Sequence, residues 1–146
     1  MKFIDYIFSN KNVLAWVLLI FSLALHVLDE ALSGFLPFYN ETVINIRAKT
    51  GFFPAPNFSF EMWIGGLAAA ILICFSLTPL VAYGGKKIKI FIMIFGILMV
   101  TNALIHITGS VYSGEVLPGM WSSPFLLGAA IFVVYRAVKG EWVSNR

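Results

Sequence analysis

Two histidines, two neighbouring carboxylates and one asparagine are the residues of this chain whose types and spacing favour chemistry. His26, Asp29 and Glu30 belong to one short stretch, and Asn102 and His106 lie four residues apart further along the chain. On a helix, residues three and four apart share a face, so each group would present its polar side chains to one side. Each group is therefore a candidate half of a site.

Two imidazoles with one or two carboxylates are a plausible set of ligands for a divalent metal such as zinc or iron. His26, Glu30 and His106 are the candidate metal ligands, and Asn102 could orient one of them. Without a metal, a carboxylate in an apolar pocket and a histidine could instead move protons on a lipid-like substrate. All five residues, Asp29 included, are therefore candidate catalytic residues, with or without a metal.

The composition places these residues in a membrane protein. Of the 146 residues, 60% are hydrophobic and 12% are charged, whereas an ordinary soluble domain has about 45–50% and about 25%. The 14 Phe argue against disorder, and the 1 Cys excludes both a disulfide framework and a cysteine-based zinc site. A net charge of +3 is too small and too dispersed for nucleic-acid binding.

Four apolar stretches are long enough to cross a bilayer, which requires roughly 20 helical residues. They predict an all-α, four-helix transmembrane bundle that forms one domain over residues 1–146. An external interfacial loop joins the first two spans, with a short amphipathic helix expected around residues 41–49. The predicted spans cover residues of about 13–36, 62–83, 88–108 and 120–138.

The second span carries two local signals. Thr78-Pro79 predicts a kink near its end, because proline removes a helical hydrogen bond and clashes with the preceding turn. Gly66, Ala70 and Cys74 recur every four residues and form a stripe of small side chains suited to close helix packing.

The basic residues predict the orientation of the spans. Arg47 and Lys49 flank one side, and the other Lys and Arg residues flank the opposite side: Lys2, Lys11, Lys86, Lys87, Lys89, Arg136, Lys139 and Arg146. Basic residues favour the cytoplasmic side, so both termini are expected in the cytoplasm. The membrane is expected to be the plasma (inner) membrane. The candidate site residues then converge at the outer leaflet, near Glu61 and Glu115.

The same residues resemble the HXXEE-motif family of small membrane proteins, which is recognised by HxxEE, NxxxH and YxPG motifs in this order. The matching segments are His26-Val27-Leu28-Asp29-Glu30, Asn102-Ala103-Leu104-Ile105-His106 and Leu117-Pro118-Gly119. Asp29 replaces the first Glu of the family, and Val116 stands where the family has Tyr, whose role is absent here or passes to Tyr112. The resemblance implies a shared site at the five candidate residues and implies no particular reaction.

Three functions remain open at this point. The first is a membrane-embedded enzyme or ligand-binding protein that acts on a lipid or isoprenoid-like molecule among the membrane lipids. The second is a proton-transfer enzyme similar in chemistry and size to sterol isomerases of the emopamil-binding group, by analogy only. The third is a non-enzymatic accessory or structural protein, in which the His and acid cluster only ties the first and third spans together.

Overall fold

Every regular element is helical in the part of the chain that the computed structural model describes, which is residue 7 and residues 9–139. The predicted all-α class is confirmed for these residues. We number the helices of residues 10–139 in chain order as α1 Lys11–Leu32, α2 Phe35–Thr50, α3 Phe60–Ser76, α4 Thr78–Tyr83, α5 Lys86–Ser113 and α6 Ser123–Val138.

Three helical stretches are long and apolar enough to cross a membrane, namely Lys11–Leu32, Phe60–Tyr83 and Lys86–Ser113. The fourth predicted span is the apolar helix α6, whose 16 residues fall short of the roughly 20 that a perpendicular crossing requires. Large apolar side chains of α3 and α5 face outward; Leu72 is 66% exposed and Ile105 is 61% exposed. Soluble monomers rarely expose apolar surface on this scale, so the outer surface is suited to lipid.

The first span ends earlier than predicted, at Leu32 rather than near residue 36. Gly34 has a φ of 81°, a left-handed conformation that commonly ends a helix. The Ser33 N–H and hydroxyl both donate to the Asp29 carbonyl and so satisfy the last turn. The chain then restarts as α2 at Phe35, so the helix expected around residues 41–49 is longer than predicted.

The second span breaks at Leu77, where Thr78-Pro79 predicted a kink. Pro79 has no N–H for the Phe75 carbonyl one turn earlier, and the Thr78 hydroxyl donates to that carbonyl at 2.6 Å instead. This exchange keeps the backbone hydrogen-bonded through the break, as an apolar surrounding requires.

The close helix contact is made by a different glycine from those of the predicted stripe. Gly66 and Ala70 are exposed, and only Cys74 of that stripe is buried. At Gly96 of α5, by contrast, an added Cβ would lie 2.8 Å from Val134 Cγ2 of α6. The tight glycine contact therefore joins α5 to α6, which is the most extensively packed helix pair.

The core joins α1, α5 and α6 and fixes which helix ends lie together. Trp16 is fully buried, and its ring lies 6.1 Å from the ring of Phe91 on α5. Arg136 near the end of α6 donates to Asn12 Oδ1 near the start of α1, at 2.8 Å. The described basic residues that the sequence assigned to the cytoplasmic side thus share one end of the protein, and Arg47 and Lys49 lie on α2, away from it. Lys2 and Arg146 lie outside the described residues.

The predicted external loop is an ordered arm at the opposite end of the protein. The arm consists of α2 and residues 51–59. Residues 51–59 run back along α2, because the Asn40 amide pairs with both backbone groups of Phe58, at 2.9 and 3.1 Å. Arg47 also donates to the Ala55 carbonyl, at 2.6 Å. The arm begins at Phe35, whose ring lies 5.6 Å from the ring of His106.

Candidate metal centre

Two helices carry the histidines to one buried point. His26 and Glu30 lie one turn apart on α1, and His106 lies on α5. All three side chains belong to buried residues, with exposed fractions of 1%, 6% and 7%. The two imidazole rings meet edge to face, with centroids 4.8 Å apart and planes at 80°.

The carboxylate of Glu30 is shared by both rings. Its Oε1 lies 3.2 Å from His106 Nε2 and 3.6 Å from His26 Nε2. One ligand atom from each of the three residues lies within 4.8 Å of the other two. Ligands about 2.0–2.1 Å from a tetrahedral zinc ion are separated by about 3.3 Å, so the two nitrogen–oxygen distances fit a shared divalent ion.

The opposite ring nitrogens have fixed hydrogen-bond partners. His106 Nδ1 lies 2.7 Å from the Pro118 carbonyl, which can only accept, so this nitrogen carries a proton. His26 Nδ1 lies 2.9 Å from Ser122 Oγ, and that hydroxyl already donates to Asp29 Oδ2 at 2.7 Å, so His26 Nδ1 also donates. In the neutral rings both Nε2 atoms are therefore unprotonated, which is the form that binds a metal.

Asn102 contacts the ring of His26 from α5. Its Nδ2 donates to His26 Nε2 at 3.1 Å. This hydrogen bond engages the same lone pair that a metal ion would take. A cation at His26 Nε2 would therefore require the Asn102 amide to turn away.

The turn before α6 forms the wall of the centre. Gly119 has a φ of 83°, and an added Cβ there would lie 2.8 Å from His106 Nδ1 and 3.1 Å from His26 Cε1. Only a residue without a side chain allows the backbone to approach both rings this closely. The Ser122 N–H also donates to Asp29 Oδ2, at 2.9 Å, which ties this turn to α1.

Asp29 differs from Glu30 in what it contacts. Its carboxylate accepts two hydrogen bonds from Ser122 and is not part of the three-residue ligand cluster. The structure brings the other four candidate residues together around the shared point. Asp29 is linked to His26 through the Ser122 hydroxyl. The sequence analysis did not identify Ser122 as part of the site.

Three further candidates at this end lie outside the cluster. Glu61 is exposed in the first turn of α3, and Glu115 is exposed in the turn after α5. Tyr112 is 96% exposed, so it does not replace the tyrosine of the family motif. The polar groups at the centre therefore come from α1, α5 and the turn of residues 118–122.

A cavity of about 300 Å³ opens beside His106. Phe35 and Phe38 of α2 form one wall, and Ile105 and Leu117 contribute to the other. Asn102 and His106 are its polar lining residues that belong to the centre. A small molecule in this cavity would thus contact both the aromatic arm and the histidine cluster.

Compared with known family models, curated proteins and solved structures, this chain matches none. The segments that carry the family resemblance nevertheless meet in space. His26 and Glu30, Asn102 and His106, and the Pro118-Gly119 pair all contribute atoms to one centre.

Proposed function

We propose that this protein is a membrane-embedded metalloenzyme that acts on a lipid-like substrate at the outer leaflet. One observation carries the proposal: the Nε2 atoms of His26 and His106 face the same oxygen of Glu30, while both Nδ1 atoms are held by fixed partners. Fixed partners for the opposite ring nitrogens are the usual support of metal-binding histidines.

Each residue of the centre has its own part in this proposal. His26, Glu30 and His106 bind the divalent ion, which supplies Lewis-acid polarisation of a substrate oxygen or of water when bound. Ser122 holds the ring of His26 and is itself held by Asp29. Asn102, once released from His26 Nε2, is placed to donate to a substrate oxygen in the neighbouring cavity.

The membrane arrangement belongs to the same proposal. We place α1, α3–α4, α5 and α6 as four spans, with α6 and the turn before it completing the fourth. The end that carries Lys11, Lys86 and Arg136 faces the cytoplasm, since basic residues favour that side. The metal centre then lies near the outer surface of the bilayer, where buried ionisable groups are costly and usually functional.

A structural tie between α1 and α5 is the rival function, because the same contacts link the two helices at 3.1 and 3.2 Å.

Expression of the wild type and of Glu30→Gln in a host, followed by lipid analysis, separates the enzyme from the structural tie. The enzyme is expected to change specific host lipids, and Glu30→Gln is expected to abolish that change while still folding. Glu61→Gln at the same end is the control and should behave like the wild type. Equal lipid profiles for wild type and Glu30→Gln would contradict the enzyme.

A further inference from the structure

We infer that the cavity beside His106 binds the single apolar chain of an uncharged amphiphile, whose polar group lies at His106 and Asn102. This inference rests on the proposed function, since it names the substrate class of the same centre. It goes further by fixing the number of chains, the charge of the polar group and the side of entry.

The size and lining of the cavity favour one chain. Its volume of about 300 Å³ lies at the lower end of the range of small-molecule pockets. Phe35, Phe38 and Leu117 supply apolar walls, and the two polar residues of the centre lie together rather than scattered. A molecule with one apolar segment and one compact polar group matches this division.

The charges around the cavity disfavour a phosphate group. Neither lysine nor arginine is among the residues that line it. The Glu30 carboxylate lies 3.2 Å from the lining residue His106 and adds negative charge near the cavity. Phosphate sites in proteins typically use Arg, Lys or several backbone N–H groups. Arg47 of the arm is bound to the Ala55 carbonyl and to Asn57 Oδ1, so it is engaged along the arm.

The rim of the cavity lies on apolar surface. Phe38 is 45% exposed and Ile105 is 61% exposed. In a bilayer such side chains contact acyl chains, so the amphiphile enters sideways from the lipid. Gly109 and Leu117 both line the cavity. A Cβ added at Gly109 would lie 3.2 Å from Leu117 Cδ1, so a larger residue at this position would take up part of the interior.

Photolabelling of the full chain in detergent or nanodiscs tests the inference. The probes are a diazirine-bearing medium-chain alcohol and the phosphate monoester of the same alcohol. The alcohol is expected to label peptides that contain Phe38 or Leu117, and the phosphate monoester is expected to label them weakly. Equal labelling by both probes would overturn the charge assignment.

Ile105→Trp should fill the cavity. Gly109→Val narrows the cavity from the same helix and replaces the first variant if that variant does not fold. Labelling is expected to fall about tenfold in the filled cavity, equivalent to a loss of about 1.4 kcal/mol of binding free energy. Ile97→Trp is the matched control, since Ile97 lines a separate apolar groove of about 450 Å³ between α5 and α6. Labelling that persists in both cavity variants would overturn the inference.

A zinc titration of the same samples keeps this inference distinct from the proposed function. Zinc binding without labelling of the cavity would contradict the substrate class alone. Labelling of the cavity in a protein that binds no zinc would contradict the metalloenzyme and leave the amphiphile pocket standing.

Discussion

Gly119→Ala should disrupt the proposed metal centre through two distinct effects. The first is backbone strain: Gly119 has a φ of 83°, and an L residue in the left-handed region costs roughly 1–2 kcal/mol. The second is a steric clash, because the added Cβ would lie 2.8 Å from His106 Nδ1. An ordinary contact begins near 3.4 Å, so the His106 ring must move by about 0.6 Å.

That displacement is large for a metal site, where ligand distances are held to within about 0.2 Å. We therefore expect the affinity for zinc to fall about 10- to 100-fold, as when supporting groups around metal ligands are removed. Isothermal titration of the detergent-purified protein with zinc measures the affinity, and thermal unfolding measures the loss of stability.

Gly114→Ala separates the two effects. Gly114 has a φ of 71°, and no atom lies within 4 Å of an added Cβ. This variant should lose stability to a similar extent but bind zinc like the wild type. If Gly119→Ala also binds zinc with wild-type affinity, the close approach of the turn to the two rings does not position the ligands, and our reasoning fails.

Three other substitutions test the surrounding structure. Ser122→Ala removes the hydroxyl that links His26 and Asp29. The groups left unpaired should lower the free energy of unfolding, measured by chemical denaturation, by about 1–3 kcal/mol. The control Ser113→Ala, at an exposed residue, should lower it less. Gly96→Ala should overpack the α5–α6 contact at a cost of about 1–3 kcal/mol, while Gly128→Ala, where no atom lies within 4 Å, should leave the melting temperature unchanged or higher. Asn40→Ala removes the amide that pairs with both backbone groups of Phe58, so amide hydrogen exchange in residues 51–58 should accelerate while exchange in α1 does not.

The sequence predicted the helices and the pairing of the candidate residues because both depend on short spacings. His26 with Glu30, and Asn102 with His106, are four apart, so a helix alone places each pair on one face. The early residues of α1 and α5 meet where Trp16 contacts Phe91, so their later residues, which include the two pairs, reach the same opposite end. These parts of the site follow from local periodicity and from the length of apolar runs.

The role of Ser122 could not be read from spacing, because its partners are distant in the chain. It lies 96 residues from His26 and 93 from Asp29, and a serine before an apolar helix is also an ordinary cap residue. The different roles of Asp29 and Glu30 have the same origin. Adjacent residues on a helix point about 100° apart, so only one of the two carboxylates faces the histidines.

The stripe of Gly66 and Ala70 shows a different failure of sequence reasoning. Small residues at four-residue spacing permit close packing, but they do not select the partner helix. The tight contact forms at Gly96 because Val134 of α6 occupies that space. The predicted first span extended beyond the end of α1 because apolar residues continue on both sides of Gly34. The left-handed backbone of Gly34 ends the helix there.

The metal content of the centre is the most direct test of the whole account. The detergent-purified wild type should bind one zinc or cobalt ion per chain, and X-ray absorption should show nitrogen and oxygen ligands at about 2.0–2.1 Å. Glu30→Gln and His106→Ala should lose this ion, whereas Glu61→Gln should keep it. Binding that is absent from the wild type, or that is equally strong in Glu30→Gln, would contradict the metal centre.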